Sequence, residues 1–253
     1  MNLKKIAIPT IAIIVFLLLW ELLVWANGWP NFVMASPSDL GPAYTRYWEL
    51  FLINGWQTLW RTVAGLALAI VFGTALGMIM GFSRTMRDAL YPLLVGFNAV
   101  PKATVVPIIA LMFVGAHDFN TVLIAFMISF FPIAVSVSIG LSTLEPEYRD
   151  ILRSLGASKM TIFWKIALPK TLPEFFGALK VAVTLAFIGT NLMEIVSPHG
   201  RGLGALFDSG RTNSDYPLMF AVLIALAFLG IVLYYVVVAL EKVFAGWAER
   251  QET

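Results

Sequence analysis

The sequence contains no cysteine, and His117 and His199 are its only histidines in 253 residues. The first absence excludes disulfides, thiolate metal sites and a cysteine nucleophile. Two histidines with no carboxylate at i+3 or i+4 do not make a zinc site, so no metal site is expected. His117-Asp118 reads as a turn rather than a catalytic dyad. Neither a Gly-x-Ser-x-Gly elbow nor a Gly-x-x-x-x-Gly-Lys-[Ser/Thr] phosphate loop occurs. No catalytic residue emerges, and without that phosphate loop the chain is not expected to bind and hydrolyse ATP in the usual way. Charge is also scarce. Only 13% of residues are Asp, Glu, Lys or Arg, against about 25% in an ordinary soluble domain. Such a chain cannot cover a soluble surface with polar groups, which excludes a soluble enzyme, a nucleic-acid binder and a secreted disulfide scaffold.

Apolar residues fill the deficit, at 59% of the chain, with a mean hydropathy of +0.84. They come in blocks of about 20 residues or more, enough to cross a hydrocarbon core of roughly 30 Å. The pattern predicts an all-α membrane protein with six spans, near residues 6–27, 58–82, 89–115, 119–141, 172–196 and 217–240. That leaves a single transmembrane domain over residues 1–253. The first block is too long for a signal-peptide core and reads as a retained span. The third holds Pro92, Pro101 and Pro107, and such breaks persist at membrane depth only where protein or a wet cavity satisfies the freed carbonyls. With both termini cytoplasmic, eleven of the seventeen Lys and Arg residues fall on the inner side. Six of the eight tryptophans then gather near the outer interface.

Gly65, Ala69, Gly73, Gly77 and Gly81 place a small residue every four positions on the second span. This ridge invites a close helix–helix contact. The longest inner loop, residues 142–171, carries two apolar stripes at helical spacing. One comprises Tyr148, Ile151, Leu152 and Leu155, the other Met160, Phe163, Trp164 and Ala167. Between them, Gly156 suits a left-handed helix end and Ser158 suits an N-cap. Pro169 is expected to end the second helix. Periodicity alone allows this elbow either to lie on lipid or to dock into a cytoplasmic partner.

The same loop carries a resemblance. Asp150-Ile151-Leu152, three residues, Gly156, nine residues, then Ile166-Ala167-Leu168-Pro169 resembles the EAA loop of ATP-binding-cassette importer permeases. Asp150 stands where that motif has Glu, and Ile151-Leu152 replace two alanines. Ala35-Ser36-Pro37-Ser38, Thr58-Leu59-Trp60-Arg61, Pro101-Lys102-Ala103, Phe130-Phe131-Pro132, Gly202-Leu203-Gly204 and Glu241…Trp247 resemble the branch that handles nitrate, sulfonates, taurine and pyrimidine or riboflavin-type precursors. The resemblance implies a coupling loop over residues 145–169, with Asp150, Ile151, Leu152, Arg153, Leu155, Gly156, Ala157, Ser158, Phe163, Ile166, Leu168 and Pro169 meeting an ATPase. It further implies a second permease copy, two cytoplasmic ATP-binding-cassette ATPase subunits holding ATP and magnesium, and an extracytoplasmic solute-binding protein. No cofactor is expected on this chain itself.

Ionisable groups inside spans are functional suspects. Lys102 and Glu194 are the pathway candidates, Lys102 because broken helix surrounds it and Glu194 because the family keeps an acid there. Structural pairing of Lys102 with a freed carbonyl is the alternative. Interfacial solvation at the outer end of its span is the alternative for Glu194, as it is for Glu21, and Lys180 reads as a group that snorkels inward. An ion-coupled secondary carrier is the alternative function, but it predicts paired broken helices and a mid-membrane carboxylate, and neither is evident.

Overall fold

A computed structural model describes residues 3–142, 154, 156, 158, 161, 163–197 and 200–247. Nine α-helices occur among them: α1 Leu3–Asn27, α2 Pro37–Arg46, α3 Trp48–Phe82, α4 Arg84–Ala99, α5 Lys102–Met112, α6 His117–Ser142, α7 Leu168–Val196, α8 Leu203–Thr212 and α9 Tyr216–Phe244. A π-helical turn, Phe163–Ala167, leads directly into α7. Four segments are long and apolar enough to cross a bilayer: Trp48–Phe82, His117–Ser142, Trp164–Val196 and Tyr216–Phe244. The α4–α5 pair is apolar enough only when taken together and is bent by 84° at its break, the geometry of a broken span or a re-entrant loop.

The core is the triad α3, α6 and α7. The small-residue ridge of α3 lies on a matching ridge of α6. A Cβ at Gly65 would come 2.5 Å from Ala125 Cβ, one at Gly73 3.1 Å from Ile133, and one at Gly77 or Gly81 2.7 Å from Val137 or Leu141. The partners advance in step, so α3 and α6 run parallel, as one intervening span requires. Helix α7 runs antiparallel to α6, with Gly189 against Ala125 and Gly140 against Thr171. Serine and threonine hydroxyls inside the triad return to their own helix, as in Ser129 to the Ala125 carbonyl (2.7 Å) and Thr62 to that of Thr58 (2.7 Å).

The outer helices hold to this triad through defined contacts. Lys180 of α7 donates to both oxygens of Glu241 on α9 at 2.8 and 2.9 Å. The α1–α2 unit packs Trp20 against Phe220 of α9, and Tyr44 donates to the Ala221 carbonyl (2.7 Å). Glu21 accepts the Ser38 amide and hydroxyl at 3.0 and 2.8 Å, a carboxylate at a helix N-terminus. Asp215 caps α9 by accepting the Leu218 amide (3.1 Å) and also accepts the Tyr47 phenol (2.7 Å). That hydrogen bond, with some desolvation, raises the Tyr47 pKa above the ordinary tyrosine value.

Two expectations need correction. Pro169 does not end a helix. It lies just past the π-helical turn, inside a helical run that continues from Trp164 to Val196, and the wider turn before it interrupts the regular ladder that a proline would otherwise break. Of the three prolines in the third span only Pro101 marks a break, while Pro92 and Pro107 lie inside α4 and α5.

Candidate functional site

Three sequence features that look unrelated meet at one end of the bundle. Thr58 and Arg61 lie on the same face of α3, Glu194 ends α7, and Gly202-Leu203-Gly204 opens α8. The first amides of α8 have no intrahelical acceptor, and side chains from other helices take all three. Asn54 Oδ1 accepts from Gly202 (2.7 Å), Thr58 Oγ1 from Leu203 (2.8 Å) and Glu194 Oε2 from Gly204 (3.0 Å). The Thr58 hydroxyl then donates to Glu194 Oε2 at 2.8 Å.

Glu194 is 1% exposed, and its charge is balanced by Arg61, 3% exposed, whose Nη1 donates to Oε1 at 3.1 Å. Arg61 Nε donates to Asp118 Oδ1 at 2.9 Å, and Nη1 also meets the Arg201 carbonyl. Asp118, in the first turn of α6, faces outward at 60% side-chain exposure. One guanidinium thus ties α3, α6, α7 and the α8 loop together. The loop glycines follow from this closeness. Gly202 has φ +127° and a Cβ there would overlap the Glu194 carboxylate, while one at Gly204 would stand 2.8 Å from Glu194 Cβ.

Lys102 sits at the other polar feature, the α4–α5 break. Val100 and Pro101 are extended there. The Lys102 ammonium donates to the Phe97 carbonyl and, at 3.1 Å, to that of Val100, and it lies 4.7 Å from the Phe97 ring centroid. These are carbonyls left free by the bend.

Asp150, Ile151, Leu152, Arg153, Leu155 and Ala157 of the coupling loop lie outside the described residues, as does His199. Around them, Gly156 has φ +79° and Ser158 Oγ accepts the Thr161 amide at 3.1 Å, the hydrogen bond of an N-cap. Phe163 opens the π-helical turn, Ile166 and Ala167 fall within it, and Leu168 and Pro169 begin α7. The ridge residues Gly65, Ala69, Gly73 and Gly77 are buried against α6 and α7, and Gly81 is partly buried. Sequence reasoning missed Arg61, Asn54 and Asp118. The available signal was the Asn54, Thr58, Arg61 spacing, which puts three polar groups on one face of an apolar helix.

Four spanning helices and a bent fifth pair define a polytopic membrane protein. The family described as binding-protein-dependent transport system inner membrane component matches residues 69–247, and the chain belongs to it. Among curated relatives, the formylaminopyrimidine transport permease ThiX of Halalkalibacterium halodurans is 31% identical, covering 96% of both chains. The riboflavin transport system permease RibX of Chloroflexus aurantiacus is 31% identical over 94% of this chain and 88% of its own. The taurine transport system permease TauC of Escherichia coli is 27% identical over 85% and 82%. An inward-facing structure of the MetNI methionine ABC transporter shares the fold, with TM-score 0.64 and 18% identity over 77% of this chain and 96% of that one. This chain is accordingly the inner-membrane, transmembrane subunit of an ATP-driven importer, a permease rather than an enzyme.

Proposed function

We propose that the chain spans the membrane six times, through α1, α3, the α4–α5 pair, α6, α7 and α9, with both termini cytoplasmic. Two copies form the pathway, and two ATPase subunits, which hold the ATP and magnesium, grip the elbows of residues 145–169. An extracytoplasmic binding protein delivers a small polar organic or anionic solute. The observation that carries this reading is the family match over residues 69–247, which takes in the whole elbow. Further support comes from the left-handed Gly156, the Ser158 cap and the continuous path from π-turn into α7. Closure of the ATPases would push each elbow, and α7 would carry that motion into the triad.

Within the solute class, the reading leans to a nitrogen heterocycle, because the formylaminopyrimidine and riboflavin relatives each reach 31% identity. Lys102 is the stronger pathway candidate. Glu194 already serves Arg61, Thr58 and Gly204, whereas Lys102 has a third donor beyond its two carbonyls. Co-expression with its genomically adjacent ATPase and purification in mild detergent test the assembly. The ATPase is expected to be retained in equal amount. A permease that purifies alone under those conditions would overturn it.

A further inference from the structure

Beside the α4–α5 break lies an apolar cleft of about 420 Å³, lined by Leu76, Leu90, Leu94, Phe97, Phe126 and Phe130, within the size range of small-molecule sites. Its depth is fixed by α6. Phe126 and Phe130 follow Asp118 by two to three turns, or about 12–18 Å at 1.5 Å per residue, which is mid-way through a core of roughly 30 Å. The rings are arranged for edge and face contacts: Phe97 meets Phe130 edge-on at 6.4 Å, and Phe126 meets Phe130 at 5.7 Å. Lys102 does not line the cleft, but its ammonium lies 4.7 Å from the ring centroid of Phe97, which does.

Lipid is a poor occupant of this cleft. Lys102 already takes the carbonyls freed by the bend, but its third donor would face hydrocarbon there, and an ammonium so placed costs a few kcal/mol. Aromatic walls beneath one cation match a flat ring with an electron-rich edge. Resting on the importer reading above, we propose that this cleft is a mid-membrane way-station on the solute pathway. It takes a planar heteroaromatic solute that stacks among Phe97, Phe126 and Phe130 and turns a carbonyl or anionic edge to Lys102.

The absence of cysteine makes the test direct. Leu93 also lines the cleft and is 69% exposed. Leu93→Cys would be placed in the permease–ATPase complex in lipid nanodiscs, with Ile14→Cys on α1 as the lipid-facing comparison. A water-soluble methanethiosulfonate reagent is expected to modify position 93 at least ten times faster than position 14. Riboflavin or a formylaminopyrimidine should slow labelling at least five-fold, while ring-less taurine and nitrate leave it unchanged. Lys102→Met should raise the concentration of ring probe needed for protection by tenfold or more, with Lys102→Arg recovering most of it. Labelling at position 93 as slow as at position 14 would place lipid or a second copy in the cleft and overturn the proposal. Fast labelling that no ring probe slows would equally overturn it. Loss of the ATPase during isolation would instead count against the importer assembly, independently of the labelling pattern.

Discussion

Arg61 and Glu194, 133 residues apart in sequence, meet at 3.1 Å in the interior of the bundle. The pair is enclosed by Thr58, Gly204 and the Arg201 carbonyl, and Asp118 extends the network to the surface. Removing one member leaves an uncompensated buried charge, which costs about 3–5 kcal/mol in comparable pairs. Arg61→Met should therefore sharply lower the folded yield and thermal midpoint in detergent. The double variant Arg61→Met with Glu194→Met should recover part of that loss. A single Arg61→Met protein as stable as the native chain would show that the pair does not lock the bundle.

Asp118 shares the same guanidinium from an exposed position, and its removal leaves no buried charge behind. Asp118→Asn should cost no more than about 1 kcal/mol, the scale of solvent-exposed pairs. Thermal unfolding of Asp118→Asn beside Arg61→Met gives the comparison directly.

Close packing of α3 on α6 predicts a contrast between two glycines of one helix. A Cβ at Gly77 would come 2.7 Å from both the Ala134 carbonyl and Val137 Cβ, whereas nothing lies within 4 Å of one at Gly55. Gly77→Val should abolish the well-folded monodisperse protein seen on size-exclusion chromatography. Gly55→Ala should be neutral or stabilising by up to about 1 kcal/mol, from the entropy that glycine loses in a helix.

The Lys180–Glu241 pair is partly exposed, at 26% and 15%. Its worth should fall between the ~1 kcal/mol of an exposed pair and the ~3–5 kcal/mol of stability lost when a buried one is broken. Lys180→Glu should loosen α9 from α7 and lower the thermal midpoint. Exchanging both residues should restore most of it.

Much of the architecture is legible in the sequence because its causes are local. Small residues at every fourth position of α3 announce the α6 contact, and Gly156 and Ser158 announce a turn and a cap that Thr161 completes. Pro101 announces a break, but Pro92 and Pro107 carry the same local signal and do not break their helices. Pro169 misleads for a related reason, since the π-helical turn just before it accommodates the missing N–H within a continuous helix. The polar network is the part that local reasoning does not reach. Arg61 reads as a charge at the outer entry of the second span, and only tertiary folding brings it to Glu194 and Asp118. Once that network is seen, the glycines of Gly202-Leu203-Gly204 gain a cause, because any side chain at Gly202 would occupy the place of the Glu194 carboxylate.

The central claim is that ATP hydrolysis in a partner drives this permease through the elbow at Gly156. Among the described residues nothing lies within 4 Å of a Cβ at Gly156, so within this chain a substitution there is felt through its φ of +79°. Valine is strained in that region, whereas asparagine tolerates it. The decisive measurement is ATP-dependent solute uptake by proteoliposomes holding the permease, its ATPase and the binding protein, compared for native, Gly156→Val and Gly156→Asn chains. The account predicts that valine cuts uptake at least tenfold with the helices intact and that asparagine retains most of it. Native-level uptake by Gly156→Val, or uptake that persists without ATP, would contradict it.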